Sequence, residues 1–415
     1  MDGFEIYHKE FLKPLIVTLK MLNQFNVRFC SSEVPFLTRN WRFFYLVPLW
    51  ILHIISLMSF IVNLIMEGND PFEEAYMIPI CIISFEHCIK MCILMKKREE
   101  IRDVITNIGN IWRSTGLTDD QKKTKEEILK KLYNAGLVFN NIGIAVTIQY
   151  LMVPLFETLV RRLILKQEVE LMLPLTIIYP FEIKTWPLYL VIYGFQVYSL
   201  LCAACVYLGF GWLLVVLTCY LNIQFLLLQE DLIHVKPETS NRLSYLPEEE
   251  GEITQYWEPS PFGIDDFVRQ HQTVILLTDK LNAAVNKITF TIILFATLNI
   301  SFFAIAVKAS AGAVDMVNNF GAIIVIMMNI FILCYCSQLL SSSSSGIALA
   351  AGKNLWYKGD LSYQTKIRFI MMRSQKPCSL TSLDFSPIGL ETFNKVLKTT
   401  WSYFSLASQM YDERY

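Results

Sequence analysis

Charge is what this sequence has least of. Asp, Glu, Lys and Arg supply 18% of its 415 residues, against about 25% in ordinary soluble chains. The 36 basic and 37 acidic side chains leave a formal charge of −1, so no overall field draws the chain towards nucleic acid. Histidine is scarce too, with five residues and no second His near His53 or His87. No phosphate-cradling Gly-rich loop, zinc-ligand spacing or HExxH helix occurs, which excludes the common nucleotide and metal enzymes. No cofactor or metal is expected. The first 42 residues hold no short apolar core before a small-residue cleavage site, so the first apolar segment is expected to act as its own insertion signal. No internal repeat is visible, which argues against an inverted-repeat transporter.

What the chain does have is apolar length. Hydrophobic residues make up 53%, mean hydropathy is +0.40, and there are 28 Phe, 19 Tyr and 8 Trp. Stretches with few or no charges lie near 43–66, 75–95, 137–159, 187–228, 284–307, 316–340 and, more weakly, 391–411. Each reaches the roughly 20 residues a helix needs to cross hydrocarbon. Only helices and closed barrels span, and the short alternation of barrel strands is missing. The expected fold is an all-α membrane protein.

Pro187 to Leu228 contains no formal charge and would measure about 63 Å as one helix. It is either two short spans joined near Gly209 and Gly211 or one long helix. Basic residues decide, because cytoplasmic flanks carry the excess. With one helix, the loops on the N-terminal side hold 26 Lys plus Arg and those on the other side 6; with two, the division falls to 18 against 14. One helix is therefore expected. The result is seven spans, N-terminus cytosolic and C-terminus extracellular.

The extramembrane mass is then mostly cytosolic: segment 1–42, the basic stretch 96–136, an acidic loop expected to be disordered near 236–262, and 341–390 with its Ser341–Ser345 run. Eight of ten cysteines lie in apolar spans, and Cys30 and Cys378 fall on the cytosolic side, where thiols stay reduced. Cys202-Ala-Ala-Cys205 has redox spacing but no charged activator, so it reads as packing. The sequon Asn299-Ile-Ser301 lies inside the fifth span and should go unmodified. Glu86 and Lys90 stand one helical turn apart in the second span, beside His87. An ionisable pair in a span marks either mutual neutralisation at a buried helix contact or passage of an ion or proton.

Residues 391–411 are too polar for a lipid-facing helix and should be shielded by protein or line water. On a 3.6-residue wheel Thr399, Ser402, Leu406 and Gln409 share one face, while Trp401, Phe404 and part of Tyr403 face elsewhere and should pack on neighbours. A polar stripe broken by one bulky aliphatic residue suits a pore wall whose apolar constriction gates by dewetting. One such helix needs several subunits around an axis to enclose a pore.

Trp356-Tyr357, Arg373-Ser374-Gln375-Lys376-Pro377, Phe385, Phe393-Asn394-Lys395-Val396-Leu397-Lys398 and Ser402-Tyr403-Phe404 together resemble the C-terminal signature of insect odorant receptors. The resemblance implies a tetrameric, odorant-gated, non-selective cation channel in which the seventh helices line a central pore. It implies a tuning subunit that assembles with a shared co-receptor in the plasma membrane of olfactory neuron dendrites. It places the gate at Leu406 and a pore-facing polar group at Gln409, with Ser405, Ser402 and Thr399 on the same lining. It makes 341–390 the region of the cytosolic anchor and 391–415 the pore helix and C-terminus. Within 43–340 it implies a buried pocket for a small volatile in the outer half, between spans two, three, four and six. Orientation and aromatic content select Tyr76, Ile80 and Ile83, then Thr147 and Tyr150, Tyr193 and Val197, and Phe320 and Ile323 as its lining. The alternatives are a gustatory receptor of the related family, and a seven-helix metabotropic receptor or a transporter.

Overall fold

The computed structural model of the chain describes residues 7–24, 71–164, 185–237, 263–310 and 312–414, with isolated positions between 51 and 62 and between 166 and 183. Most of the expected first span and nearly all of the acidic loop fall outside the described residues. The rest is helical: α1 (Lys9–Gln24), α2 (Pro71–Asn110), α3 (Asp119–Leu159), α4 (Trp186–His234), α5 (Ile264–Ala309), α6 (Ala313–Lys353), α7 (Leu361–Ser374) and α8 (Leu390–Arg414). Between α7 and α8 lies a small antiparallel hairpin, β1 (Thr381–Ser382) and β2 (Ser386–Pro387).

Four stretches, Asp119–Arg162, Trp186–His234, Ile264–Ala309 and Asp315–Lys353, are long and apolar enough to cross a membrane. α2 and α8 carry the second and seventh expected spans. The uncharged stretch 187–228 lies within a single 49-residue helix, α4, about 74 Å long. Gly209 and Gly211 do not break it. A Cβ on Gly209 would sit 3.2 Å from Leu22 of α1, and one on Gly211 2.8 Å from the Asn329 amide of α6, so both mark close helix approaches. α4 is the central post: 67% of its most apolar stretch is buried, against 17% for α3.

Helices α3 to α6 run well past their apolar segments, all at the same end of the bundle, called inner below. α6 continues to Lys353, so a boundary at 340/341 falls inside a helix. The Ser341–Ser345 run is helical, and Ser343, Ser344 and Ser345 each donate to the carbonyl three residues earlier, which satisfies their hydroxyls within the helix. Polar side chains knot this end together. Thr118 opens α3 with a capping box to Gln121. Arg113 pairs with buried Asp231 of α4, to which the Gln121 amide also donates at 2.7 Å. Asn354 donates to the Leu232 and Val235 carbonyls, and Tyr363 of α7 donates to Asn354 Oδ1 at 2.9 Å. α1 docks on this knot: Phe11 packs against Trp112 and Tyr220, and the Tyr220 hydroxyl donates to the Phe11 carbonyl. Nearby, burial, with the Arg373 charge adding to it, pushes the His271 imidazole down to about 4.

Candidate functional site

Towards the other, outer end, the five helices α2 to α6 leave a cavity of about 200 Å³ between them. Its wall is mostly aliphatic and aromatic, including Ile83, Val146, Leu200, Val206, Phe303 and Ile326. One side is polar. Glu86 and Lys90, both buried, form a direct ion pair across one turn of α2. The Asn299 amide of α5 donates to Glu86 at 3.0 Å, and the Lys90 ammonium lies 4.5 Å from the centre of the Tyr207 ring of α4. Each charge thus has a partner beyond the other, which is what lets a charged pair persist in a dry interior. Of the two readings open for this pair, mutual neutralisation at a helix contact matches the geometry, and that contact is also cavity wall.

Ile83, Thr147 and Tyr150 line the cavity; Tyr193, Val197, Phe320 and Ile323 do not. Tyr193 is buried between helices, where its hydroxyl donates to the Leu151 carbonyl. Phe320 faces away from the bundle, 55% exposed. On α4 and α6 the cavity wall is formed instead by residues between Ser199 and Leu208 and by Ala322, Val325 and Ile326. Tyr76 and Ile80 belong to α2, but their side chains lie outside the described residues. Sequence reasoning did not anticipate α5, which contributes Asn299 and Phe303. The available signal was a carboxamide in an apolar run, set aside as an unused sequon.

α5 also carries the contact to α8. The Ser301 hydroxyl donates to the Thr297 carbonyl at 2.8 Å and lies 3.4 Å from the Thr400 carbonyl oxygen of α8. Phe404 packs against Ile305 and Ala309, and the Lys308 ammonium donates to Ser408 at 2.6 Å. On the open side of α8, Thr399, Ser402, Leu406 and Gln409 are exposed, with Leu406 at 58%, and Ser405 is half-buried. Trp401 departs from expectation: it is 70% exposed and touches Phe404 of its own helix rather than packing into the subunit.

The hairpin seats α8. Leu383 and Asp384 adopt left-handed conformations, φ 49° and 60°, unfavourable for a residue such as leucine. Two α5 carboxamides hold the turn: Asn286 donates to the Asp384 carboxylate at 2.9 Å, and Asn282 accepts from the Thr381 backbone at 2.7 Å. α8 is therefore bound to α5 at its base and along its length.

A sequence profile of the 7tm Odorant receptor family matches residues 73–401. Similar proteins include Odorant receptor 67c of Drosophila melanogaster, 28% identical over 144 residues and 35% of each chain, and Odorant receptor 85b of the same species, 28% identical over 170 residues. Odorant receptor 10 of Aedes albopictus is 26% identical over 145 residues. The match to Odorant receptor 67c spans about a third of that relative's length, and the match to Odorant receptor 85b 42%. The fold matches that of the insect olfactory receptor OR5 from Machilis hrabei, solved alone and in complex with eugenol. The TM-score is 0.75 at 14% identity, over 97% of this chain and 98% of that one. With the profile covering most of its length, this chain belongs to the 7tm odorant receptor family.

Proposed function

We propose that the chain is a subunit of an odorant-gated, non-selective cation channel: a small volatile enters the cavity among α2 to α6 and opens a central pore walled by α8. The observation that carries this reading is the double duty of α5. Asn299 and Phe303 form cavity wall, while Ser301, Ile305 and Lys308 of the same helix bear on α8. A ligand that fits the cavity better when α5 has shifted moves the pore helix with it. It can bias the two states only by as much as its affinity differs between them. OR5 of Machilis hrabei has been solved with eugenol, and a small, mostly apolar volatile of that kind is the ligand class we assign to this cavity.

The pore belongs to an assembly, a heterotetramer with the family's co-receptor in the plasma membrane of olfactory neuron dendrites. The exposed stripe Thr399, Ser402, Leu406, Gln409 faces the axis, with Ser405 beside it. Trp401, exposed in the single chain, faces a neighbouring subunit. The anchor between subunits lies at the inner end, where Leu361, Phe369, Met372 and Phe385 expose apolar surface unusual outside a membrane. In the closed state a ring of Leu406 side chains excludes hydrated cations, because stripping their water is prohibitively costly. Currents from cells expressing the chain with and without co-receptor, across an odorant panel, test the reading. Leu406→Ser should raise ligand-independent current per surface channel several-fold. An unchanged baseline and unchanged ion selectivity would remove Leu406 as the gate.

A further inference from the structure

Asn299 and Ser199, both part of the cavity wall, keep unused hydrogen-bonding capacity. Asn299 is 1% exposed; its amide nitrogen serves Glu86, but its Oδ1 has no partner among the described residues. Ser199 of α4, also 1% exposed, has no partner for its hydroxyl among the described residues. That is unusual within a helix, where a serine hydroxyl ordinarily bonds back to a carbonyl of the preceding turn, as Ser301 does. Thr147, by contrast, already donates to the Gly143 carbonyl at 2.8 Å. A buried polar atom left unpaired is destabilising, so a ligand that supplies the missing partner is favoured there. What is missing is a donor for Asn299 Oδ1, which only accepts, and a donor or acceptor for Ser199.

We infer that the polar side of this cavity is a subsite for a neutral hydroxyl group, which donates to Asn299 Oδ1 and accepts from Ser199. The inference rests on the reading of the cavity as the odorant site. Charged ligands are disfavoured because Glu86 and Lys90 neutralise each other and leave no net charge to pair with. A carbonyl compound can accept from Ser199 but offers Asn299 Oδ1 no donor, and a hydrocarbon meets neither group. Size follows from volume: a dry 150 Å³ cavity accepts benzene, so one of about 200 Å³ holds a molecule of about eight non-hydrogen atoms.

Heptan-1-ol, heptanal and octane are therefore matched probes, applied to cells expressing the full chain with its co-receptor. Heptan-1-ol should act at a concentration at least about tenfold below heptanal and lower still than octane. Ser199→Ala, which leaves the Asn299–Glu86 bond intact, should raise the effective heptan-1-ol concentration about fivefold while octane stays within about twofold. Asn299→Leu should remove the remaining advantage of the alcohol. Equal potency of the three probes, or a uniform loss for all three in Ser199→Ala, overturns the hydroxyl subsite while leaving the odorant cavity standing. Silence of the wild-type channel towards all three, with currents to other odorants lost when Ala203→Leu fills the cavity, overturns the subsite but upholds the cavity. Currents to other odorants unaffected by Ala203→Leu overturn both.

Discussion

Along α4 every residue from Leu208 through Phe225 is buried. Between Trp186 and Leu201, buried Tyr189, Ile192, Tyr193, Gln196 and Ser199 instead follow helical spacing, with Leu190, Val191, Tyr198 and Leu201 exposed between them. The inner half is enclosed on all sides by α1, α3, α5 and α6, and polar knots tie its end. The outer half is covered on one face, and that face looks onto a cavity. Apolar packing between helices in lipid gains little from the hydrophobic effect and depends on close contact, so a half that gives up contact gives up stability. The molecule concentrates its cohesion where subunits would be held together and leaves adaptability where a ligand would bind, the division expected when moving parts are drawn from the less stable end of a structure.

The comparison is easiest to break with a large truncation. Tyr220→Ala removes a fully buried ring and its hydrogen bond to α1 and should cost about 3–5 kcal/mol. Leu190→Ala, at an exposed outer position, should stay within about 0.5 kcal/mol. Thermal unfolding of the detergent-purified chain compares them, and equal melting temperatures would contradict the division. A second test fills the outer half. Ala203→Leu adds three carbons to the cavity wall and should weaken the best ligand about tenfold or more, shifting preference towards ligands about three carbons shorter. Melting should be nearly unchanged, because the added atoms occupy empty space.

The third expectation concerns pH and the inner half. His271 is held neutral by burial first and by Arg373 second, at about 4 when folded, against about 6.5 in the unfolded chain. Between these values the unfolded state binds more protons, so the contribution is complete above about pH 6.5 and is lost as pH falls towards 4. The slope is about 1.4 kcal/mol per pH unit. Wild type should therefore melt lower at pH 5.5 than at pH 8, and His271→Phe should narrow that gap. Smallest of all is the surface pair on α3. Lys131 and Glu127 stand 2.7 Å apart, both largely exposed, and Lys131→Ala should leave melting and currents unaltered.

Much of the architecture was legible because it depends on quantities each segment carries alone. Apolar length marked the spans, and the distribution of Lys and Arg required α4 to be unbroken. The period of α8 put Thr399, Ser402, Leu406 and Gln409 on one side, and they are exposed together. The cavity was less legible. Ile83, Thr147 and Tyr150 line it, yet Tyr193, Val197, Phe320 and Ile323 do not, since orientation and aromatic content settle neither a residue's depth nor which neighbour its face meets. Glu86 and Lys90 announced themselves as a pair, but nothing in the sequence near them named Asn299, some 213 positions away, as the third member. The hairpin turn left no trace either: Leu383 and Asp384 take left-handed conformations where a glycine would have signalled them.

The sequence by itself determined that this is a helical membrane protein, that 187–228 lies in one unbroken helix, and which helix is too polar to face lipid. Each of these follows from the transfer of local groups between water and hydrocarbon, a sum over neighbouring residues. Tertiary structure alone decided where the cavity lies, that α5 joins it to α8, and that Asn299 Oδ1 and Ser199 Oγ remain unpaired at its wall. A cavity is the place where side chains from five helices fail to meet, and an unpaired atom is one whose partner failed to arrive. Both depend on distances between segments remote in sequence, which no local pattern encodes.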